Sequence, residues 1–474
     1  MISTSKFKEF GVPEYSILFI GGIYALTSHN PTITFVAILF PLVLIKLLWK
    51  TNEAPFLFFA LLTQSLAVVV KVFYSNAIDV DFTQVHDNPT HIVSAFYLSL
   101  IGLFSISLGM HLVIKTFDLR SLDYIEAGKK FSNKKLIRIY IISAIVYPTL
   151  FALSFRLGGL QQPIYELLQF KWAIFVILLV NSFATGNVKN FLMIFFIEVI
   201  LSFTGYFSAF KDYFFIFFIG LLIVSRNRLK PSYAIALLLI AGAGLYIMVI
   251  WEHVKPEYRL YLSSGQAAQV STKSNGESLS KLYSLIAETN QEGIADGFYK
   301  TVNRLSYIDF LSATEAQVPS NIAHTNGSLW SGALERVFEP RILFPNKKAI
   351  DDSEKARLYT GHDYAGADRG ASISLGYIAE SYVDFGEIGM HVPLFLFGIL
   401  IGLIYKSVLM NSPNILVGTA LVVPLYIEIY NYEKALDKVV GGVFMYFIIY
   451  LVVKRFLLKK FLKSVYTDES VQSL

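Results

Sequence analysis

The chain has 474 residues, of which 54% are hydrophobic and only 16% charged, against roughly 25% charged residues in an ordinary soluble domain. Its mean hydropathy is +0.54. The net charge of +5 does not indicate nucleic-acid binding, because the cations lie at the ends of apolar runs, where they determine membrane topology. The absence of cysteine excludes a disulfide framework, thiol catalysis and cysteine-bound metal.

Long apolar runs recur along the chain, and a helix of roughly 20 such residues crosses a hydrocarbon core of about 30 Å. A transmembrane barrel would instead show alternating segments of about ten residues. The sequence therefore predicts an all-α, polytopic transmembrane bundle of about twelve spans. The predicted spans are 14–28, 32–49, 54–75, 92–115, 135–155, 168–184, 188–205, 211–225, 232–251, 386–406, 413–430 and 436–454.

Lysines and arginines in the short connections predict the orientation of these spans. They gather in the segments 115–138, 225–230 and 454–463. With twelve spans these segments all lie on the cytoplasmic side, which makes both termini cytoplasmic and residues 252–385 a large, mostly helical periplasmic loop. The predicted organisation is an N-terminal bundle of about nine spans, the loop, and C-terminal spans with a basic cytoplasmic tail: 1–251, 252–385 and 386–474.

The predicted periplasmic loop contains an amphipathic helix and a cationic stretch. Apolar residues at helical intervals predict one helix with a single apolar face, formed by Phe298, Val302, Leu305 and Ile308. Further on, RVFEPRILFPNK at 336–347 separates its cations by prolines and bulky apolar residues. Because proline fixes φ and removes a donor, an ordered, extended loop is predicted to aim Arg341 and Lys347.

Several cations are predicted on the periplasmic side. Lys211 begins a span, where it either snorkels to the interface or contacts a lipid-linked phosphate. Lys255 and Arg259 are four residues apart and share one face of a helical extension of the ninth span. Arg304 either pairs with Asp309 or joins the other cations. Because guanidinium forks and ammonium charges suit phosphate oxygens, the pattern predicts a diphosphate clamp. Its members are Lys211, Lys255, Arg259, Arg304, Arg336, Arg341 and Lys347.

The candidates for activating a sugar hydroxyl are Glu380, His362, Asp363, Asp368, Glu335, Glu339 and His324, and the first two are the leading ones. Glu380 lies in the apolar stretch GYIAESYVDFG, where burial would raise its pKa and suit it to act as a base, although an ion pair with a nearby cation is the alternative. His362 is the second candidate. A further acid, Glu198, lies within an apolar span and serves either as a proton relay or as an ion-pair partner.

The order of these motifs resembles the Wzy-type oligosaccharide repeat-unit polymerases and their O-antigen polymerase relatives in bacteria. The motifs FSAFKDYFF, WEHVKPEYR, EPRILFPNK and GYIAESYVDFG follow one another within about residues 190–410. The resemblance implies a GT-C-type glycosyltransferase of the bacterial inner membrane that needs no metal, nucleotide sugar or other cofactor. Undecaprenyl-diphosphate-linked oligosaccharides would be its donor and acceptor, and a flippase and a chain-length regulator would be its protein partners.

The resemblance also implies roles for individual residues. The acidic motif position is Glu380, and the implied catalytic residues are Glu380 or His362 together with Arg341. Lys348 follows the motif where relatives often have proline. The cationic motif positions are Lys211, Arg341 and Lys347, with Lys255 and Arg259 as the basic pair.

Two alternative functions use the same features. One is an O-antigen-ligase-like transferase, and the other is a non-enzymatic flippase or transporter of lipid-linked oligosaccharide. A flippase would line a central cavity with cations inside its spans. Here the predicted cations gather on one face, which favours chemistry at that face over translocation.

Overall fold

The structure, a computed structural model, describes residues 6–51, 53–119, 123–204, 210–225, 231–266, 271–339, 344, 351–366 and 371–471. Helices account for 78% of it, and no strand occurs among these residues. The predicted all-α class is therefore confirmed.

The helices fall into three consecutive groups. Mostly apolar helices come first: α1 (Val12–Thr27), α2 (Pro31–Leu48), α3 (Phe56–Ala77), α4 (Ile92–Ile114), α5 (Tyr124–Lys129), α6 (Asn133–Ser154), α7 (Gln161–Gln169), α8 (Lys171–Thr185), α9 (Val188–Ser202), α10 (Phe210–Ser225) and α11 (Pro231–Leu262). Shorter helices follow: α12 (Asn275–Glu288), α13 (Gln291–Leu305), α14 (Ile308–Gln317), α15 (Ser328–Phe338), α16 (Asp352–Thr360) and α17 (Tyr377–Gly389). The last group is α18 (His391–Met410), α19 (Ile415–Ile429), α20 (Leu436–Val452), α21 (Leu458–Val465) and α22 (Asp468–Val471).

Eight helical stretches within the described residues are long and apolar enough to cross a membrane. Two shorter apolar helices, α1 and α19, accompany them. The chain therefore has the composition of a multi-pass membrane protein, as predicted, while the number twelve stays a prediction. The eight stretches are Pro31–Leu48, Phe56–Ala77, Ile92–Ile114, Asn133–Ser154, Gly158–Thr185, Leu238–Leu262, His391–Met410 and Leu436–Val465.

Side-chain caps define the starts of the polar helices. At α12, Ser274 and Glu277 form a capping box in which a carboxylate oxygen of Glu277 accepts from the Ser274 N–H (2.9 Å). At α13, Asn290 accepts from the N–H three residues on (2.9 Å), and at α16 Asp351 accepts from the N–H two residues on (3.0 Å). These oxygens satisfy N–H groups that a helix start leaves without an intrahelical partner.

The predicted amphipathic helix of the loop is in fact two helices. α13 ends at Leu305, and α14 begins at Ile308. The N–H of Tyr307, between them, donates to the carbonyl of Ala67 in α3 (3.0 Å). Because Ile308 is buried while Phe298 is 51% exposed, the prediction of one continuous apolar face is wrong. The break is fixed by this distant backbone contact, which local spacing does not reveal.

The predicted tenth span begins later than residue 386. Gly386 has φ +68, a left-handed conformation that other residues rarely adopt. This kink lies near the end of α17, and the long apolar helix α18 starts only at His391. Glu380 therefore lies on a separate helix that precedes the candidate span.

The most extensive helix contact in the described chain joins α4 and α18. A Cβ atom on Gly109 of α4 would collide with the carbonyl oxygen of Phe395, and one on Gly398 of α18 with that of Ile106. Gly402, one turn after Gly398, also faces α4, where an added Cβ would lie 3.0 Å from a side-chain atom. Small residues at this spacing allow membrane helices to approach closely.

Contacts between helix ends sort them into two groups. At one end of the bundle, Phe7 forms a backbone bridge with Lys50, and the Lys50 ammonium donates to the carbonyl of Ile114 (3.1 Å). Phe131 forms a second bridge with Tyr466. The basic segments 115–138 and 454–463 therefore meet at the same end.

The opposite end gathers the other connections. Asn30, between α1 and α2, donates to the side chain of Asn76 at the end of α3 (2.9 Å). Tyr432, between α19 and α20, shares a 2.7 Å hydrogen bond with Ser99 in the first half of α4. Helices α12 to α17 pack at this end, which also holds most of the described candidate site residues.

Candidate functional site

Lys211 and Lys255 share one carboxylate. Lys211, in the first turn of α10, places Nζ 3.5 Å from Glu252 Oε1. Lys255 lies one turn after Glu252 on α11, and its Nζ contacts Glu252 Oε2. Glu252 is buried, whereas both lysines keep part of their side chain exposed. The helical extension predicted for Lys255 and Arg259 is confirmed, because α11 continues to Leu262.

Arg304, on α13, forms a two-pronged ion pair with Glu433, in the connection between α19 and α20. Nη1 and Nη2 both contact the carboxylate, and the Nη2–Oε1 distance is 2.7 Å. Burial would raise the pKa of Glu433, but the hydrogen bonds and charge of Arg304 outweigh burial and lower that pKa. The predicted alternative partner, Asp309, instead contacts Lys71 (3.4 Å) and His86 (3.0 Å).

These two groups of ion pairs form one cluster. Arg304 is close enough to Lys211 and to Glu252 to interact with both electrostatically. We call Lys211, Glu252, Lys255, Arg304 and Glu433 the paired-cation cluster. It contains three cations and two carboxylates, so it carries one positive charge in excess. An anionic ligand would exchange with Glu252 and Glu433 as counter-ion rather than meet bare cations.

Glu380 is 1% exposed and makes two specific contacts. Its Oε2 lies 2.8 Å from Lys355 Nζ of α16, and its Oε1 accepts from the N–H of Leu436, the first residue of α20 (3.2 Å). Burial raises the pKa of Glu380 to about 7, although the charge and hydrogen bond of Lys355 oppose the shift. The predicted burial is thus confirmed, and the ion pair given as the alternative is present as well.

Further ion pairs surround Glu380. Lys355 also lies 3.7 Å from Asp437, and the next residue, Lys438, contacts Asp352 at the start of α16. We call Glu380, Lys355, Asp437, Lys438 and Asp352 the Glu380 cluster. It joins α16, α17 and α20 and contains three carboxylates and two cations, an excess of one negative charge.

His362, which follows α16, lies in a different contact network from Glu380. Its Nε2 is 2.8 Å from the side-chain oxygen of Asn88, in the connection between α3 and α4. The carbonyl of Asn88 in turn accepts from the hydroxyl of Ser312 on α14 (2.5 Å). Within the described residues these contacts attach His362 to the α3–α4 connection, and the two base candidates do not share a partner.

The remaining clamp candidates lie elsewhere or outside the described chain. Arg259 is in the last turn of α11, and Arg336 is in the last turn of α15; both are partly exposed. Arg341 and Lys347 lie outside the described residues. The structure therefore brings together Lys211, Lys255 and Arg304 from the predicted set.

Glu198 is an ion-pair partner, which was one of its two predicted roles. Its Oε2 lies 2.8 Å from Lys171 Nζ at the start of α8 and accepts a hydrogen bond from Tyr213 of α10. The ammonium also lies 5.4 Å from the ring centroids of Tyr140 and Tyr213. The pair therefore cross-links α8, α9 and α10 inside the apolar bundle.

Comparisons with known proteins assign a family without an activity. Residues 15–464 match a family described as a domain of unknown function, DUF8712. The chain belongs to the DUF8712 family. No curated protein and no solved structure matches it. In the part of this DUF8712 chain that the structure describes, no group of three or more His, Asp or Glu side chains could hold a metal ion.

The connection between α19 and α20, residues 430–435, is a feature that sequence reasoning missed. Glu433 binds Arg304, and the carbonyl of Lys434 accepts from the N–H of Tyr377 at the start of α17 (2.9 Å). The N–H of Leu436, directly after it, donates to Glu380. This short connection therefore links the paired-cation cluster to the Glu380 cluster. Its sequence, YNYEKA, offers only the unusual density of polar residues between two apolar helices as a signal.

Asp384 is a second residue that was missed. It is fully buried on α17, and its carboxylate accepts from the N–H groups of Leu329 (3.0 Å) and Trp330 (2.8 Å) in the first turn of α15. It thus caps a helix more than 50 residues away in the chain. Because α15 ends at Phe338, Asp384 anchors the helix in which the cationic stretch begins to the helix that carries Glu380.

Proposed function

We propose that this protein is a membrane glycosyltransferase that polymerises undecaprenyl-diphosphate-linked oligosaccharide repeat units. The observation that carries the proposal is the convergence of Lys211, Lys255 and Arg304 from three helices, α10, α11 and α13, at one end of an apolar bundle. A lipid-linked diphosphate would sit at that depth, with its chain among the apolar helices and its head group at the cations. The motif resemblance to repeat-unit polymerases supports the same substrate class.

The proposed topology has twelve spans in the bacterial inner membrane, with both termini cytoplasmic. The grouping of helix ends supports it, because the basic segments meet at one end and the paired-cation cluster lies at the other. By the positive-inside rule, the basic end would lie on the cytoplasmic side. The paired-cation cluster and helices α12 to α17 would then face the periplasm, where lipid-linked repeat units are joined.

The cations would act on the leaving group. When an acceptor hydroxyl attacks the anomeric carbon of the donor, a new C–O bond forms and the bond to the diphosphate breaks, with the electron pair staying on the diphosphate. Negative charge then builds on the leaving oxygen, and preorganised cations stabilise that charge. In the proposed complex, the diphosphate replaces Glu252 and Glu433 as the counter-ion of Lys211, Lys255 and Arg304. Arg259, Arg336, Arg341 and Lys347 are the further proposed members of this clamp.

A base must take the proton of the attacking hydroxyl. Glu380 and His362 remain the two candidates for this role. Glu380 has a pKa raised to about 7, which suits proton transfer near neutral pH, but it would first have to separate from Lys355. His362 is more exposed and contacts one amide oxygen, so it would need a smaller rearrangement.

The test is turnover by the purified full-length protein. A synthetic undecaprenyl-diphosphate-linked repeat unit is supplied in detergent without metal or nucleotide sugar, and products are separated on a gel. We expect a ladder that Lys255→Ala abolishes and that Lys281→Ala, which removes a paired lysine outside the cluster, leaves intact. Absence of a ladder with bound substrate would favour a ligase that lacks its acceptor, or a flippase, and absence of binding would overturn the substrate class.

A further inference from the structure

Two more carboxylates lie buried beside the paired-cation cluster. Glu166, on α7, and Glu428, near the end of α19, are 1% and 3% exposed. Glu166 Oε2 and Glu428 Oε1 are both buried and have no hydrogen-bond partner among the described residues. Neither residue has a part in the mechanism above. Buried carboxylate oxygens without a donor need another source of stabilisation.

One lysine interacts with both carboxylates. Lys434 places Nζ 2.9 Å from Glu428 Oε2 and donates as well to the carbonyls of Ile427 and Glu428. It also lies within electrostatic reach of Glu166, as does Glu428 itself. A single ammonium group is therefore the counter-ion of two buried acids.

Within the described part of the chain, the other titratable groups that interact with this pair are neutral or acidic. Tyr165 precedes Glu166 on α7, and tyrosines approach from the helices that pack on α7. Asp212 of α10 is a further acid in this region, and its Oδ1 accepts from the hydroxyl of Tyr430 (3.0 Å). The described groups that interact electrostatically with the pair are Lys434, Tyr165 and Tyr446 of α20, and Tyr165 interacts in turn with Tyr147 of α6 and with Asp212.

Gly442 of α20 makes the space that Glu428 occupies. A Cβ atom at position 442 would collide with Glu428 Oε2, whereas a Cβ on Gly441 would meet only Gln162 Nε2, at 3.9 Å. Gln162 lies one turn before Glu166 on α7. The glycine pair therefore lies where α20 packs against both α7 and α19, and the two positions differ in their effect on the acid pair.

We propose that Glu166 and Glu428 form a proton-binding site in which the two carboxyl groups share one proton at neutral pH, and that occupancy of the paired-cation cluster by an anion tightens proton binding there. The physical reason for the first part is that an unpaired carboxylate in an apolar interior is strongly disfavoured, so the group binds a proton instead.

The second part, which rests on the proposed function, follows from chain connectivity. Glu433, the partner of Arg304, directly precedes Lys434. In the proposed coupling, an anion that takes Arg304 from Glu433 leaves that carboxylate without its cation one residue from Lys434, and the Lys434 ammonium moves from Glu428 towards it. The acid pair then loses its counter-ion and binds its proton more tightly.

Linkage fixes the sign of the resulting pH dependence. Because anion binding strengthens proton binding, protons must equally strengthen anion binding. Anion affinity is therefore highest at low pH, where the pair is already protonated in the free protein. It falls as pH rises, by at most about tenfold per pH unit for one linked proton.

The first experiment tests the proton site without any ligand. Infrared spectra of the full-length protein in lipid nanodiscs are compared at neutral pH for wild type, Glu166→Gln and Glu428→Gln. We expect one component of the wild-type carboxylic-acid C=O band to be lost in each variant, because the remaining carboxylate then has Lys434 to itself, while the contribution of Glu380, whose pKa is also raised, stays. Retention of the whole band in both variants would overturn the shared proton.

Variants of Gly441 and Gly442 supply a matched control, and they keep the test valid if the Gln variants misfold. Gly442→Ala displaces the Glu428 carboxylate without removing a charge, so the same band is lost or shifted. Gly441→Ala leaves it unchanged. Equal spectra for these two variants, with intact gel-filtration profiles, would contradict the site even if the Gln variants failed to fold.

The second experiment tests the coupling. The probe is a polyprenyl-diphosphate-linked sugar, whose two phosphates each keep a single charge across the pH range used. We expect wild type to bind it more weakly as pH rises, and Glu166→Gln to lose this slope. A flat wild-type profile would overturn the coupling while the proton site stands. Failure to bind the probe at any pH would overturn the proposed function and the coupling with it, and the infrared result would still decide the proton site.

Discussion

The two polar clusters at the same end of the bundle contain the same kinds of residues but differ in charge and exposure. The paired-cation cluster has one excess positive charge, and the side chain of Arg304 is 46% exposed. The Glu380 cluster has one excess negative charge, and the side chains of Glu380 and Asp352 are 1% exposed. Exposed cations can exchange their counter-ions for a ligand, whereas buried carboxylates bound to a helix start hold the helices in place.

The comparison separates residues that act on a ligand from residues that position helices. Exposed ion pairs contribute about 0–1 kcal/mol to stability, whereas removing one partner from a buried pair costs about 3–5 kcal/mol. Substitutions of the partly exposed cations Lys211, Lys255 and Arg304 should therefore reduce activity and preserve stability. Substitutions in the Glu380 cluster should reduce stability first.

The largest expected effect is that of Glu380→Ala. The variant leaves Lys355 without its buried partner and the N–H of Leu436 without its acceptor. We expect the free energy of unfolding in detergent to fall by about 3–5 kcal/mol. The control is Glu257→Ala, which removes an exposed carboxylate. Similar unfolding curves for the two variants would show that the Glu380 cluster does not hold the helices.

Arg304→Ala should reduce activity strongly and stability only slightly, in contrast to Glu380→Ala. The loss of one cation that stabilises a leaving diphosphate should lower the rate of chain growth by about 10²–10³-fold. Because the pair is partly exposed, we expect the free energy of unfolding to change by only about 1 kcal/mol. Rates and unfolding curves are measured together, with Lys281→Ala as the control. A stability loss as large as that of Glu380→Ala would erase the distinction between the clusters.

The Glu380 cluster should make stability depend on pH. Burial raises the pKa of Glu380 from 4.5 to about 7, so the folded protein binds a proton that the unfolded chain has released. Stability from this group is fully present below about pH 4.5 and is lost as pH rises to about 7, a change of roughly 3 kcal/mol. The midpoint of thermal unfolding should fall as pH rises across this range in wild type, and it should fall less in Glu380→Gln. Identical slopes in both proteins would assign the pH dependence to other groups.

The smallest expected effect is that of Asp384→Ala, which tests how α17 positions α15. The variant removes the acceptor of two N–H groups at the start of α15, and a lost cap costs about 1–2 kcal/mol. We expect faster hydrogen exchange, measured by mass spectrometry, that is confined to the first turn of α15. Unchanged exchange there, with faster exchange elsewhere, would show that Asp384 does not anchor this helix.

The composition and the long apolar runs predicted the all-α class and a multi-pass set of apolar helices. Long apolar runs predict helices in lipid because a helix is the only structure in which a single segment forms all its backbone hydrogen bonds internally. The all-α class is confirmed. Helix ends that depend on distant contacts were not predicted. The end of α13 depends on a bond from Tyr307 to Ala67, and no local pattern shows that α3 would lie there.

For the site, the sequence indicated individual charges but not their partners. Glu380 stands out as an acid in an apolar stretch, so its burial was predictable. The partners of Lys211 and Arg304 are Glu252 and Glu433, which lie 41 and 129 residues away. Nothing in the spacing of the chain links such distant charges. The pairing of Lys211 and Arg304 with carboxylates therefore became visible only in three dimensions, whereas Lys255 lies one helical turn after Glu252.

Binding of undecaprenyl diphosphate to the purified protein tests the central claim most directly, because it asks whether the paired-cation cluster holds a lipid diphosphate before any chemistry occurs. Affinity is measured in detergent for wild type, Arg304→Ala and Lys281→Ala. A charged hydrogen bond contributes about 1.5–3 kcal/mol, so we predict at least about tenfold weaker binding for Arg304→Ala and no change for Lys281→Ala. Equal affinity in all three proteins would contradict the assignment of the paired-cation cluster as the diphosphate site.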